Sequence, residues 1–294
     1  MRSAIRVVLG QIPVESLTPQ KNLERVAETC GAAAREEADL LVLPELVDLG
    51  QVPPFDATFA ARYQTAAQPL TGSFVSTVAD FAREHGLHVV LGVAERHPDV
   101  AQTIFNTAVV VGPDGHVLGA QRKLHLPGPE RHYFGVGDEV CVIPTDLGVL
   151  TAQICYDLYF PEVARVAALH GAEVLLGVAN IPGRSEWPDR LAALASVRAY
   201  ENMQHVAIVN RVGGEHGVDY GGESLAAAPP GMILARCPAY RPDLRTVVLD
   251  ADVIARERAR RPVFADRRPA LYRAVTAPST PAKPAPYPVD RRER

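Results

Sequence analysis

Gln153-Ile154-Cys155-Tyr156-Asp157-Leu158-Tyr159-Phe160-Pro161-Glu162 joins an apolar run to the start of a helix. The run Gly148-Val149-Leu150-Thr151-Ala152-Gln153-Ile154 reads as a buried strand, and Pro161 suits the first turn of a helix opening at Glu162. Cys155 therefore occupies a strand-to-helix turn. Such a turn projects one side chain past the sheet edge and aims backbone N–H groups at whatever binds there. A cysteine near a helix N-terminus is expected to have a lowered thiol pKa, and its thiolate can attack a carbonyl or nitrile carbon. Alone, the stretch leaves a second reading open, that of an inert buried cysteine.

Two further segments bear on the choice between these readings. Asp39-Leu40-Leu41-Val42-Leu43-Pro44-Glu45 reads as a short buried strand that delivers a carboxylate directly after a Pro. Gln121-Arg122-Lys123-Leu124-His125-Leu126-Pro127 follows the turn signal Pro113-Asp114-Gly115 and a short strand at Val117-Leu118. Glu45, Lys123 and Cys155 thus each sit at the exit of a different strand, where distant residues converge on one rim. Their chemistry is complementary: the carboxylate can take the thiol proton, and the ammonium can stabilise a thiolate and a developing oxyanion.

Strands and helices alternate along the rest of the chain. Residues 5–11 read as a strand, Thr18 as the cap of a helix with Pro19 at its first position, and Cys30 as a core residue on that helix. A helix is expected over 74–84, strands over 88–94 and 105–111, a helix over 161–170, a strand over 173–178, a helix over 187–204 and a strand over 205–210. A Gly-rich hairpin region at 213–235 and a strand at 245–250 follow. Repeated βα units with interspersed hairpins imply an α/β fold with a sheet covered by helices.

The same segments resemble the motifs of the nitrilase superfamily of carbon–nitrogen hydrolases. The likeness rests on Leu41-Val42-Leu43-Pro44-Glu45, on Arg122-Lys123-Leu124-His125-Leu126 and on the stretch from Ile154 to Glu162. It continues through Arg198-Ala199-Tyr200-Glu201-Asn202, Gly222-Glu223-Ser224 with Pro230-Gly231, and the segment from Asp266 to Tyr272, and so spans residues 4–275. The resemblance implies a four-layer α-β-β-α sandwich, with a hydrolase domain over 1–276 and a Pro-rich tail over 277–294 that is disordered or laid on a partner subunit. It implies Cys155 as nucleophile, Glu45 as general base and acid, and Lys123 with the Tyr156 N–H as oxyanion donors. The stretch Glu130-Arg131-His132-Tyr133-Phe134 is similar to one that supplies a second glutamate in amidase and carbamoylase members, which puts Glu130 beside Lys123. His125 is assigned to scaffolding.

The implied reaction is hydrolysis of an amide to carboxylate and ammonia through a cysteine thioester. The alternatives are an N-carbamoyl amidohydrolase, a nitrile hydrolase, or a catalytically silent binding protein on the same fold. Tyr156-Asp157 stands where nitrilases of this family usually carry Trp-Glu. Leu158 and Tyr159 stand where members gripping a carboxylate carry arginines, so anionic substrates are disfavoured unless Arg184 or Arg190 supplies the charge. Tyr156, Tyr159 and Trp187 are the expected substrate-pocket residues.

Composition narrows the class further. The 294 residues are 47% hydrophobic with a formal net charge of −4, which supports a large core and argues against nucleic acid as a partner. The 4 cysteines at 30, 141, 155 and 237 lack metal or disulfide spacing, so no metal and no cofactor are expected. Apolar runs are too short for a membrane span. The expectation is a cytoplasmic homo-oligomer acting on a small-molecule amide.

Overall fold

Two six-stranded sheets carry the fold of the computed structural model, which describes residues 1–183, 187 and 189–277. In spatial order the first runs β14 (Asp243–Asp250), β1 (Ala4–Gln11), β2 (Leu40–Val42), β3 (His88–Arg96), β4 (Ile104–Val111) and β5 (Val117–Arg122). The second runs β13 (Ile233–Arg236), β12 (Leu225–Ala227), β9 (His205–Asn210), β8 (Val174–Ala179), β7 (Gly148–Ile154) and β6 (Ile143–Thr145). A separate hairpin pairs β10 (Val212–Glu215) with β11 (Val218–Gly221).

Side-chain alternation along the strands builds the layers. Val7, Leu9, Leu40, Val42, Val90, Ala108 and Val110 face Leu150, Ala152, Ile154, Val174, Leu176, Val178 and Val209 in one core between the sheets. The opposite face of the first sheet, through Val8, Leu41, Val89 and Leu91, packs on α1 (Pro19–Arg35) and α3 (Ser73–His85). The outer face of the second, through Leu175, Ala179, Val206 and Ile208, packs with residues of α4 (Pro161–Leu169) and α5 (Arg190–Asn202). Helix, sheet, sheet, helix is the expected four-layer sandwich.

Topology places the site. β1, β2 and β3 are parallel, and two antiparallel steps through β4 return β5 to the same direction, so β2 and β5 exit at one end of the first sheet. β7, β8 and β9 are likewise parallel and share one exit end. Ligands of α/β sheets gather at such carboxyl ends.

Several local expectations change. β5 continues to Arg122 rather than ending at Leu118, because Thr107 to Val111 of β4 pair with it throughout. Thr18 precedes α1, but its hydroxyl donates to Glu15 O at 3.1 Å instead of capping the helix. The helix expected over 187–204 spans Arg190–Asn202 and stops where Met203 turns left-handed at φ 50°. α2 (Ala57–Ala66), capped by Asp56 donated to by the Phe59 N–H, was not expected. α6 (Ala251–Arg260) follows β14. The chain divides into a unit Met1–Arg261 and a short second unit from Pro262, which holds one 3-10 turn, Pro269–Leu271, and α7 (Arg273–Thr276). The tail beyond 277 lies outside the described residues. Among the described residues no helix is long and apolar enough to cross a membrane.

Candidate active site

Glu45 is fully buried at the exit of β2, and its neighbour Leu46 takes a left-handed backbone at φ 50°. Such strain persists only where the surroundings enforce it. Here β3 does so: the Val47 N–H donates to Gly92 O at 2.8 Å and the Gly92 N–H to Pro44 O at 2.9 Å. Gly92 permits this approach, since a Cβ there would lie 2.6 Å from Glu45 Cα. Gly92→Ala should therefore displace the Glu45 loop, lowering kcat by on the order of 10-fold or more while leaving the secondary structure intact. Unchanged turnover in that variant, with its circular dichroism as a control, would show that the close approach does not fix Glu45.

The carboxylate is fixed from three sides. Asn106 Nδ2 and Lys123 Nζ donate to Oε1 at 2.6 and 2.7 Å, and the Asn180 backbone N–H donates to Oε2 at 2.8 Å. Lys123, fully buried at the exit of β5, also donates to Glu130 Oε1 at 2.9 Å and Oε2 at 2.7 Å. It thus bridges two buried carboxylates. Arg122, one residue earlier, points the other way and pins the strand: it grips Glu95 at 2.5 and 3.0 Å and lies 3.9 Å over the Phe105 ring.

Cys155 begins a 3-10 turn, Cys155–Tyr159, between β7 and α4, and has a left-handed φ of 48°. Asp157 in this turn ties the Cys155 segment to the Lys123 segment. Its carboxylate accepts the His125 N–H at 2.9 Å, the His125 Nδ1 contact at 2.8 Å, and the Leu124 and Ile154 N–H groups at 3.3 Å each. His125 is in turn stacked on Phe160 at 3.6 Å, which fits the scaffolding role expected for it.

Burial decides the protonation pattern. It pulls the Lys123 pKa down, but Glu45 and Glu130 outweigh it and hold the ammonium above its ordinary value. Burial raises Glu130 despite the opposing Lys123. The expectation of a lowered thiol pKa is overturned: burial first, then the adjacent Glu45, push Cys155 well above its usual range, with Lys123 opposing. At rest Cys155 is therefore held toward the thiol form, which would need a base in order to attack. Asp48, buried beneath the same loop and donated to by the Ala94 N–H, is raised to about 7 by that burial.

The expected pocket residues are only partly gathered. Tyr156 and Tyr159 lie 5.7 Å apart between ring centroids, and Tyr156 meets Phe160 edge-on at 5.2 Å. Trp187 is 55% exposed and lines a narrow crevice with Pro182, Arg190 and Leu191 that includes none of Glu45, Lys123, Glu130 or Cys155. Arg190 donates to Pro182 O at 2.8 Å; Arg184 lies outside the described residues. Among the described residues no group of three or more His, Cys, Asp or Glu is arranged to hold a metal ion.

The description carbon–nitrogen hydrolase belongs to a family model that matches residues 6–259, nearly the whole of the larger unit. The chain belongs to this family. A nitrilase from Pyrococcus abyssi is 32% identical over 275 residues, covering 91% of this chain and 99% of that one. An (R)-stereoselective amidase from Pseudomonas sp. is 35% identical over 252 residues, covering 84% and 85% respectively. A mutant of the amidase from Nesterenkonia sp. AN1, with the acetamide moiety of fluoroacetamide added covalently at the active site cysteine, matches with a TM-score of 0.77 at 28% identity, covering 93% of this chain and 97% of that one. The protein is an amidase-like carbon–nitrogen hydrolase.

Sequence reasoning missed four residues of this hydrolase's site. Asn106 is a fully buried polar residue inside the apolar strand β4, and Asn180 follows β8 as Glu45 follows β2. Both carry a signal: a polar side chain where the run is otherwise apolar, or at a strand exit. In the sequence Asp157 stands out only as part of the Tyr156-Asp157 pair that differs from the nitrilase Trp-Glu. Gln51, whose Nε2 donates to Glu130 Oε1 at 2.9 Å, carries no local cue because it lies in an irregular segment.

Proposed function

We propose that the hydrolase converts small neutral carboxamides to carboxylate and ammonia, with Cys155 as nucleophile. Glu45 takes the thiol proton as sulfur attacks the amide carbon, and Lys123 with the Tyr156 N–H stabilises the oxyanion. As the C–N bond breaks, Glu45 passes the proton to nitrogen and ammonia leaves a thioester on Cys155. Glu45 then takes a proton from water, whose hydroxyl adds to the thioester, and returning that proton to sulfur frees the acid. Glu130 holds Lys123 from the side opposite Glu45. The reading rests on Lys123 bridging Glu45 and Glu130 at 2.7 Å each, beside a thiol that burial keeps protonated. The acetamide moiety of fluoroacetamide on the Nesterenkonia relative's active site cysteine, an adduct that keeps its amide, supports a nucleophilic cysteine in this family.

Preference for neutral substrates follows from charge. Glu45, Glu130, Glu215 and Asp48 all raise the phenol of buried Tyr63, after burial itself, so the loop surrounding the site is crowded with carboxylates. Lys123 is committed to two of them, and Arg211 is fully buried, bonded to Glu215 at 2.6 Å and to Val14 O. An anionic acyl group entering there would bury a charge without a partner, at a cost of several kcal/mol. We expect kcat/KM for a neutral amide to exceed that for its carboxylate-bearing analogue of similar size by about tenfold or more. A tenfold preference for the anionic analogue would mean that a cation lines the pocket. Nitrile hydrolysis is the second reading, favoured by the Pyrococcus relative's name; ammonia release from nitriles faster than from matched amides would establish it.

A further inference from the structure

Hydrogen-bond polarity propagates from Lys123 through two carboxamides. Lys123 is a donor, so the Glu130 carboxylate accepts from it at 2.7 Å. Glu130 can only accept while ionised, so the Gln51 side chain must present its NH2, and Nε2 donates to Glu130 Oε1 at 2.9 Å. Gln51 Oε1 then faces Asn180, whose Nδ2 donates to it at 3.3 Å. With its NH2 engaged there, Asn180 must turn its carbonyl oxygen away from Gln51. That Oδ1 is buried and has no partner among the described residues.

The location of Asn180 gives this acceptor a use. Its backbone N–H donates to Glu45 Oε2 at 2.8 Å and lowers the Cys155 thiol pKa against the burial that raises it. The residue therefore stands beside the two groups that would handle the amide nitrogen and carbon. Gln51 is itself anchored, its backbone N–H donating to Glu215 Oε2 at 2.8 Å.

We propose that Asn180 Oδ1 accepts an N–H of the substrate carboxamide, and that Gln51 is the positioning residue that fixes this orientation. The site thereby selects acyl compounds that carry an N–H on the scissile nitrogen over those that lack one. A buried acceptor left unpaired penalises a substrate without that donor, whereas an amide satisfies it. The inference rests on the amide-hydrolase reading above and adds the residues that set its selectivity.

The test compares a primary amide with the p-nitrophenyl ester of the same acid, which acylates the same thiol but offers no N–H. In Asn180→Ala and Gln51→Met, kcat/KM for the amide should fall on the order of 10- to 100-fold while the ester changes by less than about threefold. Gln51→Met keeps the Asn180 side chain, so it remains informative if Asn180→Ala fails to fold, as judged by thermal melting. Parallel losses on amide and ester, or an unchanged amide rate, would overturn this inference alone. A wild-type enzyme acylated by the ester yet releasing ammonia from no amide would overturn the amide reading and this inference with it.

Discussion

Replacing Cys155 by Ala is expected to end ammonia release, lowering kcat by on the order of 10⁴-fold or more, because no group remains to carry the acyl intermediate. The other thiols are poor substitutes. Cys30 and Cys237 are buried, and burial pushes both up to about 12. Cys141 is half-buried, and burial, with Glu139 and Asp138 adding to it, raises its thiol. Since burial also holds Cys155 toward the protonated form, the proposed mechanism makes its reactivity depend on Glu45. Glu45→Gln should accordingly slow turnover by about 10² to 10⁴-fold, acting on both thioester formation and its hydrolysis. With an activated ester that acylates without help, the Glu45→Gln enzyme should accumulate one acyl mass on Cys155, seen by intact mass and peptide mapping. Retention of a tenth of wild-type activity by Cys155→Ala, or an adduct mapping to Cys141, would remove Cys155 as nucleophile.

Glu45, Lys123 and Cys155 were legible because each is marked locally, by an apolar run ending in a reactive side chain. Convergence of the three was an inference from strand exits, and for Glu45 and Lys123 the shared direction of β2 and β5 in one sheet accounts for it. The residues that orient the site were hidden because they act across the chain: Gln51 meets Asn180 over a separation of 129 positions, and Asn106 meets Glu45 over 61. The two-sheet arrangement was hidden for a different reason. β4, β8 and β9 are buried on both faces, so the alternation that would reveal an inner and an outer side is absent from their sequences. The sandwich came from family resemblance. The thiol pKa was misjudged because the turn was read as a helix N-terminus. α4 begins only at Pro161, six positions on, so Cys155 lies outside its first turn and is governed by desolvation and Glu45.

Glu130→Gln should lower kcat/KM on the order of 10²-fold despite its matched shape, because every group that meets Glu130 is a donor. Lys123 Nζ reaches both oxygens, and Gln51 Nε2 reaches Oε1. A carboxamide supplies one acceptor where the carboxylate supplied two, so its NH2 must face either the ammonium or the Gln51 NH2. Lys123 would then lean on Glu45 alone, pairing more closely with the carboxylate that must accept the thiol proton. The pH profile separates this role from a merely structural one. Burial raises the Glu130 carboxyl, with Glu45 adding to the rise and Lys123 opposing it. Activity that needs ionised Glu130 is therefore present above that raised pKa and lost as pH falls through it. The wild-type kcat/KM profile should show an acid limb above the ordinary carboxyl range, and Glu130→Gln should lack that limb while unfolding in one cooperative transition like the wild type. Near-normal turnover with the acid limb unmoved would reduce Glu130 to a buried counter-charge with no part in the reaction.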